Sequence, residues 1–239
     1  MNNQEGNKQS AHELMSLHID SLFTHDQSLR LHTINEPWPG NASAPRLFLG
    51  RTIEGTNICR FRYDVQDALV EQIEGLCADE PPTNDFQKEP KHFDKYMSLL
   101  QGKQFTMGPC FLIPIEATPS VEVVRITSDK NIELLQDGFE QMIPEVDDAQ
   151  PFVAIVRENR TVSICRSVRI THRAHEAGLE TLSSFRGRGY AAEAVAGWAK
   201  AVRQLGCTPL YSTSWDNLAS QSVARKSSAV FYGASFTIT

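Results

Sequence analysis

Apolar residues along this chain repeat with two different periods. Val65, Leu69, Ile73 and Leu76 recur at helical spacing, and so do Ala191, Ala194, Val195, Trp198, Val202 and Leu205. Between Val162 and Ile170 the period is two: Val162, Ile164, Val168 and Ile170 alternate with Ser163, Cys165, Ser167 and Arg169. This predicts a strand with one apolar face and one face that is polar or lines a cleft.

Punctuation residues divide the remainder. Ser10 with Glu13 fits a capping box and predicts a helix to Phe23. Pro37 to Gly40 and Asn41 to Pro45 read as loop, Arg46 to Gly50 and Ile58 to Tyr63 as strands, with Asp64 capping the helix that follows. Pro81 to Asn84 interrupts the chain before a short helix over His92 to Leu100. In the second half, Val121 to Ile126 reads as a strand and Asn131 to Ile143 as a helix closed by Pro144. Phe152 to Val156 and Val162 to Ile170 are strands joined by a hairpin-length turn, and a strand over Glu176 to Leu182 follows. The helix after it stops at Gly206; then come a strand over Leu210 to Ser214, a helix over Asn217 to Lys226 and a closing strand over Val230 to Ile238.

Composition narrows the classes. At 239 residues and 41% hydrophobic the chain can bury a core. Residues 1–9 read as a disordered tail without the basic start and apolar centre of a secretion signal, and no apolar run is long enough to cross a bilayer; the expectation is a soluble, cytoplasmic protein with no membrane partner. Five dispersed cysteines read as reduced core thiols, and no histidine or cysteine spacing suits a metal. A formal charge of -6 argues against a nucleic-acid footprint. An anionic ligand would therefore need local cations, which Arg186, Arg188, Arg225 and Lys226 could supply.

One segment suggests such a ligand. A strand-like stretch runs into Arg186-Gly187-Arg188-Gly189-Tyr190-Ala191 and then directly into a helix. Glycines allow close backbone approach, and the first helical turn presents unpaired N–H groups, a combination that cradles a diphosphate. No GK[ST] follows, which excludes a P-loop, and the spacing does not fit a dinucleotide fingerprint.

The order of elements, with R-x-x-G-x-A after a strand and an Asn217-Leu218-Ala219-Ser220 helix start beyond the next strand, resembles the GNAT superfamily of acetyl-CoA-dependent N-acetyltransferases over residues 118–239. The resemblance implies an α+β (mixed α/β) fold: a central, mostly antiparallel twisted sheet flanked by helices, as a domain over 117–239. Residues 10–116 would be an additional α/β region, either a degenerate GNAT-like domain or the builder of the acceptor pocket. It further implies acetyl-CoA as co-substrate. Backbone amides of Arg188, Gly189, Tyr190, Ala191 and Ala192 would hold the diphosphate, Arg186 and Gly187 would shape the loop, and the main chain of Leu179 and Thr181 would pair with the pantetheine arm. Asn217 and Ser220 would face the pantetheine or thiol end, although Asn217 is equally suited to capping its helix.

The implied reaction is direct attack of a primary amine, on a small molecule or peptide, through a tetrahedral intermediate. It needs a base, an oxyanion donor and a proton for the thiolate. Glu180 and Glu176 are the candidate carboxylates, on one face of their strand unless Gly178 marks a bulge. Many relatives carry a tyrosine acid on the last motif helix; here that position is Ala224, leaving Tyr232, Tyr211, Ser220 or water, and Tyr232 is equally suited to a core aromatic. That departure keeps open a non-catalytic acyl-CoA-binding or sensing module. The acceptor and the assembly, a homodimer among the options, are not read from the sequence.

Overall fold

A computed structural model describes residues 9–239. The tail expected over residues 1–9 lies outside the described residues except for Gln9, whose side-chain oxygen accepts from the Thr208 hydroxyl at 3.4 Å.

Eleven strands are formed among the described residues: β1 (Phe23–His25), β2 (Leu31–Ile34), β3 (Leu47–Thr52), β4 (Asn57–Phe61), β5 (Phe105–Leu112), β6 (Val124–Arg125), β7 (Phe152–Arg157), β8 (Arg160–Ile170), β9 (Ala174–Thr181), β10 (Thr208–Ser212) and β11 (Val230–Ile238). Five α-helices accompany them: α1 (Ala11–Leu22), α2 (Asp67–Ala78), α3 (Phe93–Leu99), α4 (Tyr190–Gln204) and α5 (Leu218–Lys226). β1 and β2 form a separate hairpin. The other nine strands make one sheet in the order β4-β3-β11-β5-β10-β9-β8-β7-β6, antiparallel throughout except for the parallel pair β9 and β10. This is the mixed, mostly antiparallel sheet expected. Its continuity crosses the boundary expected at 116 and 117, because β5 is hydrogen-bonded between β10 and β11.

Strand alternation sorts the two layers. On β3, Phe48 packs beneath α1, while Leu47 and Leu49 face α2 and α3. On β7, Val153 and Ile155 pack under α4, and Phe152 and Ala154 pack against the segment between β6 and β7. Trp198 of α4 is fully buried, and its indole N–H donates to Ser167 Oγ, which also meets His175 Nδ1 at 2.9 Å. Among the described residues no helix is long and apolar enough to cross a membrane.

Several expectations are corrected. The helix expected over Asn131 to Ile143 is two short 3-10 turns, Ile132–Leu135 and Glu140–Glu145, with Pro144 inside the second. Asn131 and Gly138 sit at positive φ, which interrupts an α-helical ladder. The strand expected over Val121 to Ile126 pairs only at Val124–Arg125, and Val123 instead fills the space above Gly197 on α4. Asp64 does not cap α2; Arg62 holds its carboxylate at 2.8 and 2.9 Å, and the helix starts three residues later. Its buried face is accordingly Val70, Ile73 and Cys77, with Leu69 and Leu76 at the margin. β8 is buried on both faces through Cys165 rather than half polar, because α4 covers one side and α1 with the 3-10 segment covers the other.

Candidate functional site

The parallel pair β9 and β10 is short. Ala174, His175 and Glu176 pair with Thr208, Pro209 and Leu210, and the strands then part. β9 continues to Thr181 with β8 on its other side only. The N–H of Leu182 donates to Val162 O, so alternation turns the peptide groups of Leu179 and Thr181 away from β8 and into the gap. The Thr181 carbonyl there meets Arg186 Nε at 3.2 Å. An open strand edge with free donors and acceptors accepts an extended, amide-bearing arm as an added strand.

β9 itself is regular. The bulge lies opposite, on β8, where the register shifts between Ser167 and Arg169 and Val168 packs over Gly178. A Cβ at Gly178 would stand 2.1 Å from Val168 Cγ1, so glycine is required by contact with its neighbour and not by a bulge of its own. Glu176 and Glu180 therefore share a face, as their spacing predicts.

At the far end of the gap the chain makes a short 3-10 turn, Ser183–Phe185, and then the glycine loop. Gly187 and Gly189 have φ of 79° and 89°, values that side-chain-bearing residues adopt at a cost. A Cβ at either would meet nothing within 4 Å. α4 starts from Gly189 with no side-chain cap, and among the described residues the N–H groups of 187–191 have no protein acceptor, whereas the Ala192 N–H expected to join them donates to Gly189 O at 3.0 Å. Unsatisfied donors at a helix N-terminus form an anion site. Cations gather round it: Arg188 lies over the Phe185 ring and Arg157 over the Tyr190 ring, each at 5.1 Å.

A cavity of about 470 Å³ joins gap and loop. Ten of the eleven residues expected to bind the cofactor line it: Leu179 and Thr181 from β9; Arg186, Gly187 and Gly189 from the loop; Tyr190, Ala191 and Ala192 from α4; Asn217 and Ser220 from α5. Arg188 is not in the lining, its side chain being turned onto Phe185. Asn217 does cap α5, accepting from the Ser220 N–H at 3.0 Å, so it serves the helix while facing the cavity. Phe185, Ala219, Ser222 and Val223, which were not singled out, also line it, as does Lys226, one of the four cations offered for an anionic ligand. The last four follow i, i+3, i+4 and i+7 on α5, a signal present in the sequence once Ser220 is placed on that side.

The three expected catalytic residues separate. Glu180 lines the cavity. Glu176 and Tyr232 do not; both are buried beneath α1 around His18. Burial pushes the Tyr232 phenol well above its usual range, and its hydroxyl has no partner among the described residues. Tyr211 is buried too, pushed up to about 12 by desolvation, and donates to the Ser220 carbonyl. Ala224, in the position where a tyrosine was sought, is packed into the α4 core.

Residues 112–229 match the family model described as an acetyltransferase (GNAT) domain. Over that stretch, just under half of the chain, the protein carries a GNAT-family acetyltransferase domain. No curated protein matches it. Among solved structures, a functionally unknown conserved protein from Staphylococcus epidermidis aligns with a TM-score of 0.50 and 15% identity, covering 94% of this chain and 96% of that one. A GNAT acetyltransferase from Colwellia psychrerythraea aligns over 97% and 98% at 12% identity, with a TM-score of 0.46. For a GNAT-family protein from Novosphingobium aromaticivorans the values are 57%, 65%, 12% and 0.44, so the chain spans just under two thirds of that protein's length. At such identities the likeness concerns the fold. The GNAT domain begins at the last residue of β5, so α1 to α3 and nearly all of β5 lie outside it.

Proposed function

We propose that this GNAT protein is an N-acetyltransferase that carries an acetyl group from acetyl-CoA to a primary amine of a small molecule or peptide. One observation carries the reading: a strand edge with free peptide groups leads straight to a helix start whose N–H groups lack acceptors. That is the shape and polarity of a pantetheine arm ending in a diphosphate. The thioester supplies an activated acyl carbon; the protein supplies the rest. The N–H groups of 187–191, with Arg186 and Lys226, hold the phosphates. Leu179 and Thr181 align the arm by main-chain bonds, and a gap-facing N–H of β9 donates to the oxyanion as it develops. A carboxylate on the shared face of β9 takes the proton that frees the amine. The acidic chain favours cationic acceptors.

The test is calorimetric titration with coenzyme A, together with thiol release from acetyl-CoA over a panel of primary amines. Coenzyme A binding without turnover of any amine would instead support the second reading, an acyl-CoA-binding module. Ala224, which offers no proton donor beside the cavity, favours that second reading.

A further inference from the structure

Two of the five cysteines lie side by side. Cys59 is on β4 and Cys77 on the buried face of α2, and both belong to the core packed between that helix and the sheet. The Asn57 side chain donates to the carbonyls of Cys77 and Glu80 at 3.4 and 2.9 Å, which fastens the end of α2 against β4. Within this contact the Cys77 thiol donates to the Cys59 sulfur. Cys110, Cys165 and Cys207 are buried elsewhere.

A cavity of about 630 Å³ opens beside the pair. Both cysteines line it, with Arg60 from β4 and Glu74 from α2, and none of the other three cysteines does. The two thiols are unequal. Cys77 is 3% exposed, and its bond to Cys59, reinforced by burial, pushes its thiol far up. Cys59 is only partly buried. The bond from Cys77, helped by the Arg60 cation, outweighs burial and Glu74 and pulls the Cys59 thiol below its ordinary value. The thiolate is the reactive form, so the pair consists of a nucleophile facing a cavity and a protonated thiol behind it.

We propose that Cys59 and Cys77 form a hydroperoxide-reactive dithiol: Cys59 attacks the oxidant in the cavity, and Cys77 then closes a disulfide that staples α2 to β4. The Cys59 sulfur bonds one peroxide oxygen as the O–O bond breaks. It becomes a sulfenic acid, and the departing oxygen takes a proton and leaves as water or an alcohol. The Cys77 sulfur next displaces the hydroxyl group, which leaves as water with the Cys77 proton. Two thiols have then lost two electrons to one peroxide, and an external thiol reverses the change by exchange. The pair lies outside the GNAT domain, and β3, β11 and β5 separate β4 from β10, so the proposal stands apart from the acetyltransferase reading.

The experiment exposes the reduced full-length protein to a few equivalents of hydrogen peroxide, blocks remaining thiols by alkylation and maps the peptides by mass spectrometry without reductant. The expected product is a linked Cys59–Cys77 peptide pair, two hydrogens lighter than the dithiol and restored by dithiothreitol. Its closure should raise Tm by roughly 5–10 °C, because the chain between the two sulfurs is tied in the unfolded state. Cys77→Ser should stop at a Cys59 sulfenic acid that dimedone traps, and Cys59→Ser should slow oxidation of Cys77 at least tenfold. Treated wild type in which Cys59 and Cys77 are both still alkylated overturns the proposal. So does a Cys77 that oxidises as fast in Cys59→Ser as in wild type. The wild-type map needs no variant, so it decides even where a variant does not fold.

Discussion

Gly189→Ala, set against Gly206→Ala, isolates the cradle. Both glycines sit at positive φ, 89° and 78°, and an added Cβ at either meets nothing within 4 Å. Each substitution therefore carries only the left-handed backbone penalty, about 1–2 kcal/mol, or roughly 2–8 °C in Tm for a chain of this size. Gly206 closes α4 at its far end, whereas Gly189 opens it at the cavity. In the free protein the two variants should melt alike. Coenzyme A at about 100 times Kd should raise the wild-type stability by about 2.7 kcal/mol, and Gly206→Ala should respond in full. In Gly189→Ala the new methyl occupies space beside the phosphates and shifts donors whose bonds to a charged group are each worth about 1.5–3 kcal/mol. A tenfold weaker Kd halves the shift to about 1.4 kcal/mol, and a hundredfold loss leaves about 0.4 kcal/mol. Differential scanning fluorimetry with and without ligand reads both quantities. Equal ligand shifts in the two variants would refute the assignment of the diphosphate to this loop.

Gly178→Ala drives a methyl to 2.1 Å from Val168 Cγ1 and is expected to cost about 1–3 kcal/mol by overpacking. Val168→Ala in the same chain should restore most of that loss in urea unfolding; a strictly additive double variant would show that the two side chains do not collide. Against burial, Cys110 and Glu176 hold the His18 ring at about 10 where 6.5 is ordinary, so its proton stabilises the folded chain fully below about pH 6.5. That contribution wanes as pH rises toward 10. Urea midpoints at pH 6, 8 and 9.5 should therefore fall more steeply in the wild type than in H18Q, and parallel declines would contradict the pairing.

What the sequence disclosed was what local pattern controls. The capping box at Ser10, the glycine stop at Gly206 and the loop from Arg186 to Ala191 all depend on neighbours within a few residues, and all fold as read, while the run ending at Ile170 forms its strand without the half-polar face. Errors arose where a local signal had a stronger partner nearby or tertiary cover. Asp64 looked like a cap but binds Arg62 two residues before it, and the polar-looking face of β8 is roofed by packing that no alternation reveals. Asn131 to Ile143 carries helical spacing, but residues at positive φ break it into 3-10 turns. The group of His18, Cys110 and Glu176 was invisible for another reason. Its members come from α1, β5 and β9, and only the pairing order of the sheet brings them together.

That pairing order also bears on how the molecule can be cut. β5 is zipped along its length to β11 and at its end to β10. A clone trimmed to the limits of the GNAT domain would run from Leu112 to Ala229, discard β3, β4, β11 and nearly all of β5, and leave the β10 edge bare. Such a fragment would recruit foreign strands to cover that edge and precipitate. Grafting, split-reporter or minimisation schemes should therefore treat residues on both sides of that limit as one indivisible unit.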